Sequence, residues 1–104
     1  MRFRPKWSPE LDFLVEMDMR LPADMTAERK AALMSEERKH TDVLAANGTL
    51  VRMWRIPGTN ANWGLWEAPD ATTLHEALSH LPLFPWFHIK VHPLAAHSFD
   101  PGPK

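Results

Sequence analysis

The sequence predicts an α+β domain, a four-stranded antiparallel sheet with two helices on one face. Three observations carry this. Residues 11–20, LDFLVEMDMR, place Phe13, Val15, Met17 and Met19 on one side and Glu16, Asp18 and Arg20 on the other, which is the alternation of a half-buried strand. Leu74, Ala77, Leu78 and Leu81 recur at i, i+3, i+4 and i+7, the spacing of one buried helix face. The signals arrive in the order β-α-β-β-α-β, the split βαβ or ferredoxin-like plan.

Each element has its own punctuation. Residues 1–10, with two prolines, read as an N-terminal arm. The first strand ends at Leu21-Pro22-Ala23-Asp24. Thr26 is the expected N-cap of a helix running to Asn47-Gly48, either of which can take the left-handed conformation that closes it. Residues 49–56, TLVRMWRI, form a second strand, stopped by Pro57-Gly58, and residues 61–67, ANWGLWE, a third. The short PGTN connection makes these two an antiparallel hairpin. Asp70 caps a second helix near 71–80, Pro82 and Pro85 break the chain, and Phe87 to Leu94 supplies a fourth strand. The domain therefore spans 11–95, with a C-terminal tail over 96–104. One sheet face is left bare. Tryptophans on the second and third strands coat it, so two sheets are expected to pack face to face as a dimeric α+β barrel.

Composition narrows the function. Twelve basic and thirteen acidic residues nearly cancel, without the basic excess of a nucleic-acid binder. No cysteine is present, which excludes disulfides, thiolate metal sites and cysteine nucleophiles and fits a reducing cytoplasm. No apolar run reaches the roughly 20 residues of a membrane span, and MRFRPKWSPE lacks the apolar segment of a secretory signal. His88 and His92 share a strand face but have no third ligand at motif spacing, so no metal is expected. With no phosphate loop, nucleophile elbow or dinucleotide fingerprint, the expected chemistry uses no cofactor.

The first helix carries the polar anomaly. With Leu33 at zero and 100° per residue, Leu44 falls at about 20°, Glu37 at about 40° and His40 at about −20°. A carboxylate and an imidazole thus lie in the stripe the helix should bury. Glu37 is partly exposed near a helix edge, or it pairs with a neighbouring arginine, or it is a base whose pKa is raised by an apolar pocket. His40 is either its companion or a core histidine donating to a carbonyl.

Residues 49–69, TLVRMWRIPGTNANWGLWEAP, and 74–91, LHEALSHLPLFPWFHIKV, resemble the muconolactone isomerase family. The shared elements are Trp54-Arg55-Ile56, Gly58, Ala61-Asn62, Leu74-His75 and above all Leu81-Pro82-Leu83-Phe84-Pro85, with Leu21-Pro22 and Asp24-Met25 at the opening. The resemblance implies a ferredoxin-like subunit, sheet-to-sheet dimers and often a decamer. It implies cytoplasmic enzymes of aromatic catabolism, in the β-ketoadipate pathway, that shift a double bond in an unsaturated lactone by moving a proton. The family's base, a glutamate on the first helix, falls on Glu37. This chain departs from the family at Met34, Val51-Arg52 and Thr59, where lysine, Arg-His and histidine are usual.

The expected site therefore has Glu37 and His40 as its catalytic groups. Arg52, Trp54, Asn62, Trp63, Phe84 and Trp86 are its substrate-binding groups, with Arg52 or Asn62 stabilising a dienolate oxygen. Arg52 or Arg55 would hold a substrate carboxylate, unless each is a strand-face ion pair. For each aromatic, core packing is the competing role. Two alternatives stand beside this reading. One is divergent chemistry on the same fold: dehalogenation, cyclisation of a polyketide-like compound or cofactor-free oxygenation. The other is a non-catalytic small-ligand binding protein.

Overall fold

The computed structural model describes residues 10–102. Residues 1–9, all but the last of the N-terminal arm, and residues 103–104 lie outside that range. Strand β1 spans Leu11–Met19, helix α1 Ala27–Ala46, β2 Leu50–Arg55, β3 Ala61–Ala68, helix α2 Ala71–Ser79 and β4 Phe87–Leu94. A single 3₁₀ turn, Phe84–Trp86, precedes β4. The expected elements are all present, with ends within two residues of those read from the sequence.

Local chemistry explains the boundaries. Thr26 caps α1, its side chain accepting from the Arg29 N–H at 3.1 Å. Asp70 caps α2 in the same way, accepting from the Thr73 N–H at 2.7 Å. Both satisfy amides that have no partner within the helix. After α1, Gly48 rather than Asn47 takes the positive φ, +85°. The β2–β3 hairpin is closed by Thr59, whose hydroxyl donates to the Ile56 carbonyl at 2.8 Å and accepts from the Ala61 N–H at 3.0 Å.

The sheet order is β2-β3-β1-β4, all neighbours antiparallel. Its two faces follow from the register. On the inner face Phe13 lies opposite Trp66, Val15 opposite Gly64 and Met17 opposite Asn62 on one side; on the other side Val15 lies opposite Val91 and Met17 opposite Ile89. The core forms here: Phe13, Val15, Met17, Leu50 and Trp66 pack with Leu74, Leu78 and Leu81 of the α2 region. The outer face carries Leu14 and Glu16 of β1, Trp63 and Leu65 of β3, and Trp54 of β2, which lies opposite Trp63. Val51 sits at an irregularity in the β2–β3 ladder between Leu50 and Arg52.

The two helices are held differently. Helix α2 buries Leu74 and Leu78 completely, each contributing about 1.5–3 kcal/mol of burial. Helix α1 buries no residue fully. It rests on the sheet through Leu33, Glu37, Thr41 and Leu44, all half-buried. It leaves Met34 42% and Val43 62% exposed. The line of contact is therefore centred near +35° on the helical wheel, displaced towards Thr41.

Candidate active site

That displacement corrects one expectation. His40, placed in the buried stripe by its spacing, is exposed. It lies on the far side of the contact line, with its Nδ1 at 3.0 Å from the Glu36 carbonyl of its own helix. It is not a core histidine. Glu37 does enter the layer between α1 and the sheet. Its partner is not an arginine. The carboxylate Oε1 accepts from the backbone N–H of Leu83 at 3.0 Å, and Leu83 itself is fully buried just before the 3₁₀ turn.

Burial pushes the Glu37 pKa above its ordinary value of 4.5, against the opposing pulls of the Leu83 N–H and the nearby His40 charge. Desolvation penalises the ionised form, while an N–H donor and a cation favour it. The first effect is the largest here. A carboxyl in this state is a stronger base than a solvated one and can also return the proton it takes.

The position of Glu37 along the sheet follows from the chain path. Leu44 packs against the core, close in sequence to Leu50, which lies opposite Trp66. Glu37 is seven residues earlier on α1, which runs antiparallel to β1. Seven residues of helix rise about 10 Å, the span of about three residues of strand. Along the strand direction Glu37 is thus about level with the middle of β2, the strand that α1 packs against.

The inner face of β3 holds two unpaired polar atoms. The Oδ1 of Asn62 and the indole Nε1 of Trp66 are buried and have no hydrogen-bond partner. Trp66 is 1% exposed. An unmade hydrogen bond at a buried donor costs about 1–3 kcal/mol. Between the two residues, on the same face, stands Gly64. A Cβ there would come within 2.5 Å of the Trp66 Nε1, so the indole lies back over the glycine, towards Asn62. Trp66, a third-strand tryptophan and so expected to coat the bare face, is instead in the core, because it stands three residues from Trp63 and alternation sends the two to opposite faces. The available signal was a tryptophan two residues beyond a glycine on one strand face.

The remaining predicted residues divide between the faces. Arg52, Trp54 and Trp63 stand on the outer face, across the sheet from Glu37. There the Arg52 guanidinium stacks on Trp54 at 5.3 Å, and Trp63 meets the His92 ring at 5.8 Å. Within one subunit, Arg52 and Glu37 therefore lie on opposite sides of the sheet. Arg55, opposite Asn62, belongs to the inner face. Phe84 packs against the core and meets the edge of His75 at 6.2 Å. Trp86 lies near the start of α1 under the Arg29 guanidinium, 5.7 Å from its ring centre, and lines a small surface pocket with Pro22 and Met25. A larger cleft of about 710 Å³ runs between α1 and α2, lined by His40, Leu44, Thr49, His80 and Leu81 among others. Glu37 does not line it, although its neighbour Glu36 does. Among the described residues no cluster of three or more histidine, cysteine or acidic side chains could hold a metal ion, and no helix is long and apolar enough to cross a membrane.

Residues 11–100 match the family model for muconolactone delta-isomerase. This chain belongs to the muconolactone delta-isomerase family. Membership makes it an isomerase by class. Over 83% of its length it is 41% identical to muconolactone delta-isomerase 2 of Acinetobacter lwoffii, covering 90% of that protein. It is 36% identical to the muconolactone delta-isomerase of Pseudomonas aeruginosa, across 85% of this chain and 97% of the relative. The crystal structure of a muconolactone isomerase superposes with a TM-score of 0.82 at 33% identity, over 89% of this chain and 97% of that one. The family's ferredoxin-like architecture is therefore present here in full. Of the departures from the family pattern, Thr59 serves the hairpin turn, Val51 sits at the ladder irregularity and Met34 faces outward.

Proposed function

We propose that this isomerase shifts the double bond of muconolactone, or a close unsaturated lactone acid, by proton transfer through Glu37 without a cofactor. The observation that carries this is the Glu37 carboxyl held by the Leu83 N–H over the inner face of the sheet. Names of relatives support the substrate class.

The steps use one carboxylate. Glu37 takes a proton from a ring carbon made acidic by the lactone carbonyl. The C–H electron pair becomes the new C=C bond of a dienolate, and charge collects on the carbonyl oxygen. The Asn62 amide, which can turn its NH₂ towards that oxygen, stabilises it. Glu37, now a carboxylic acid, delivers the proton to the distal carbon. No oxidant or second base is needed when both carbons face the same side. Arg55 is the guanidinium on this face for the substrate carboxylate, and among the described residues it has no ion-pair partner. His40 tunes Glu37 through its charge rather than by touching the substrate.

The outer face fits a second copy of the chain. Trp54 is 42% exposed and sits opposite Trp63, an uncovered aromatic patch of the kind that marks association surfaces. We read the working unit as a sheet-to-sheet dimer, with higher assembly to a decamer open to α1, and the setting as cytoplasmic aromatic catabolism. The test is direct: incubation with muconolactone and observation of double-bond migration by ultraviolet absorbance and NMR. Migration at an enzymatic rate supports the reading, and its absence with an intact fold overturns it.

A further inference from the structure

Resting on that reading of the reaction, we propose that the indole N–H of Trp66 is a catalytic donor to the carbonyl oxygen of the lactone. The indole Nε1 is buried, has no partner among the described residues and lies over Gly64, on the inner face of the sheet, the face that α1 and Glu37 cover. A tryptophan serving only as core filler would turn its one polar atom to a carbonyl or to solvent. Here the opposite is built. Position 64 carries no side chain, and any Cβ there would displace the N–H. The glycine thus keeps the donor in a place where the protein offers it nothing to bind.

The unpaired atom of the neighbouring Asn62 is an acceptor, Oδ1, and as it stands does not bind a carbonyl oxygen. Asn62 and Trp66 flank the same glycine on one strand face, and turning the Asn62 amide brings its NH₂ to that side in place of Oδ1. A lactone carbonyl that becomes an enolate oxygen then meets the indole N–H and the amide NH₂. When Glu37 removes the proton, charge builds on that oxygen, and a fixed N–H in a dry site stabilises it more than it stabilises the neutral carbonyl. The indole keeps its proton throughout. The only proton moved is the one that Glu37 takes from carbon and returns to carbon.

The experiment uses the full chain labelled with ¹⁵N at the tryptophan indoles. Trp66→Phe identifies the Trp66 signal by its disappearance, and Trp66→Tyr does so where the phenylalanine variant fails to fold. Titration of the wild type with a saturated lactone acid, which binds but cannot isomerise, should move the Trp66 indole proton downfield. With muconolactone as substrate, Trp66→Phe should lower kcat by about a hundredfold and change KM little. A Trp66 signal that stays fixed at saturating lactone acid overturns the proposal, as does a folded Trp66→Phe protein with unchanged kcat. Wild-type turnover is scored separately. A Trp66 signal that moves in a protein unable to isomerise muconolactone removes the proposed substrate and upholds the indole as the ligand's donor.

Discussion

The Glu37 Oε1 accepts the Leu83 N–H at 3.0 Å across 46 residues of sequence. The bond ties the first helix to the segment between α2 and β4, and so aims the carboxyl at the sheet rather than at solvent. It engages one carboxylate oxygen, Oε1, and not the other. Glu37→Gln keeps an amide oxygen that can accept the same N–H but removes the base. Turnover of muconolactone should fall by at least about a hundredfold, the low end for loss of a general base, while the circular dichroism spectrum and melting temperature stay near wild type. Near-normal turnover would take Glu37 out of the mechanism.

The raised pKa of Glu37 has a pH signature. The folded state holds this proton to higher pH than the unfolded chain does, so the unfolded state binds fewer protons in the interval between the two pKa values. The associated stability is fully present below 4.5, the ordinary value, and is lost as pH rises through the raised folded value. Urea midpoints measured across this interval should therefore fall more steeply for wild type than for Glu37→Gln. Equal slopes would show that Glu37 titrates as an exposed carboxyl.

Gly64→Ala tests the close approach of the indole. The new methyl would meet the Trp66 Nε1 at 2.5 Å, and overpacking of this kind costs about 1–3 kcal/mol. Urea denaturation should show that loss. Adding Trp66→Leu should recover part of it, because the clash and the indole vanish together. A Gly64→Ala protein as stable as wild type would mean that the indole is free to move aside.

The outer face makes a prediction about assembly. Trp63→Glu places a charge at the centre of the aromatic patch, opposite Trp54. Sedimentation equilibrium should report a dimer or larger for wild type and a monomer with the same secondary structure for the variant. A monomeric wild type would leave the tryptophan patch without the partner assigned to it.

Much of the architecture was legible in the residues because it depends on short-range periodicity. The alternation of Phe13, Val15 and Met17 names the inner face of β1, and the register confirms it. Thr26 and Asp70 mark helix starts because each side chain reaches an amide three residues ahead. The 3₁₀ turn at Phe84–Trp86 was not foreseen. Prolines there signalled a break, and a break does not specify what replaces the helix. Glu37 stood out by helical angle alone, and its place in the layer agrees. His40 was misjudged because spacing gives the angle between residues and not the direction in which the whole helix is turned.

The sequence by itself determined the elements, their caps, the apolar face of each strand and the carboxylate worth watching, since all of these are set by neighbours a few residues apart. Only the tertiary structure decided that Leu83 holds that carboxylate, that Arg52 and Trp63 stand across the sheet from it, and that the Trp66 indole rests unpaired over Gly64. Those relationships depend on strand pairing and helix placement between distant segments, and no local period encodes them.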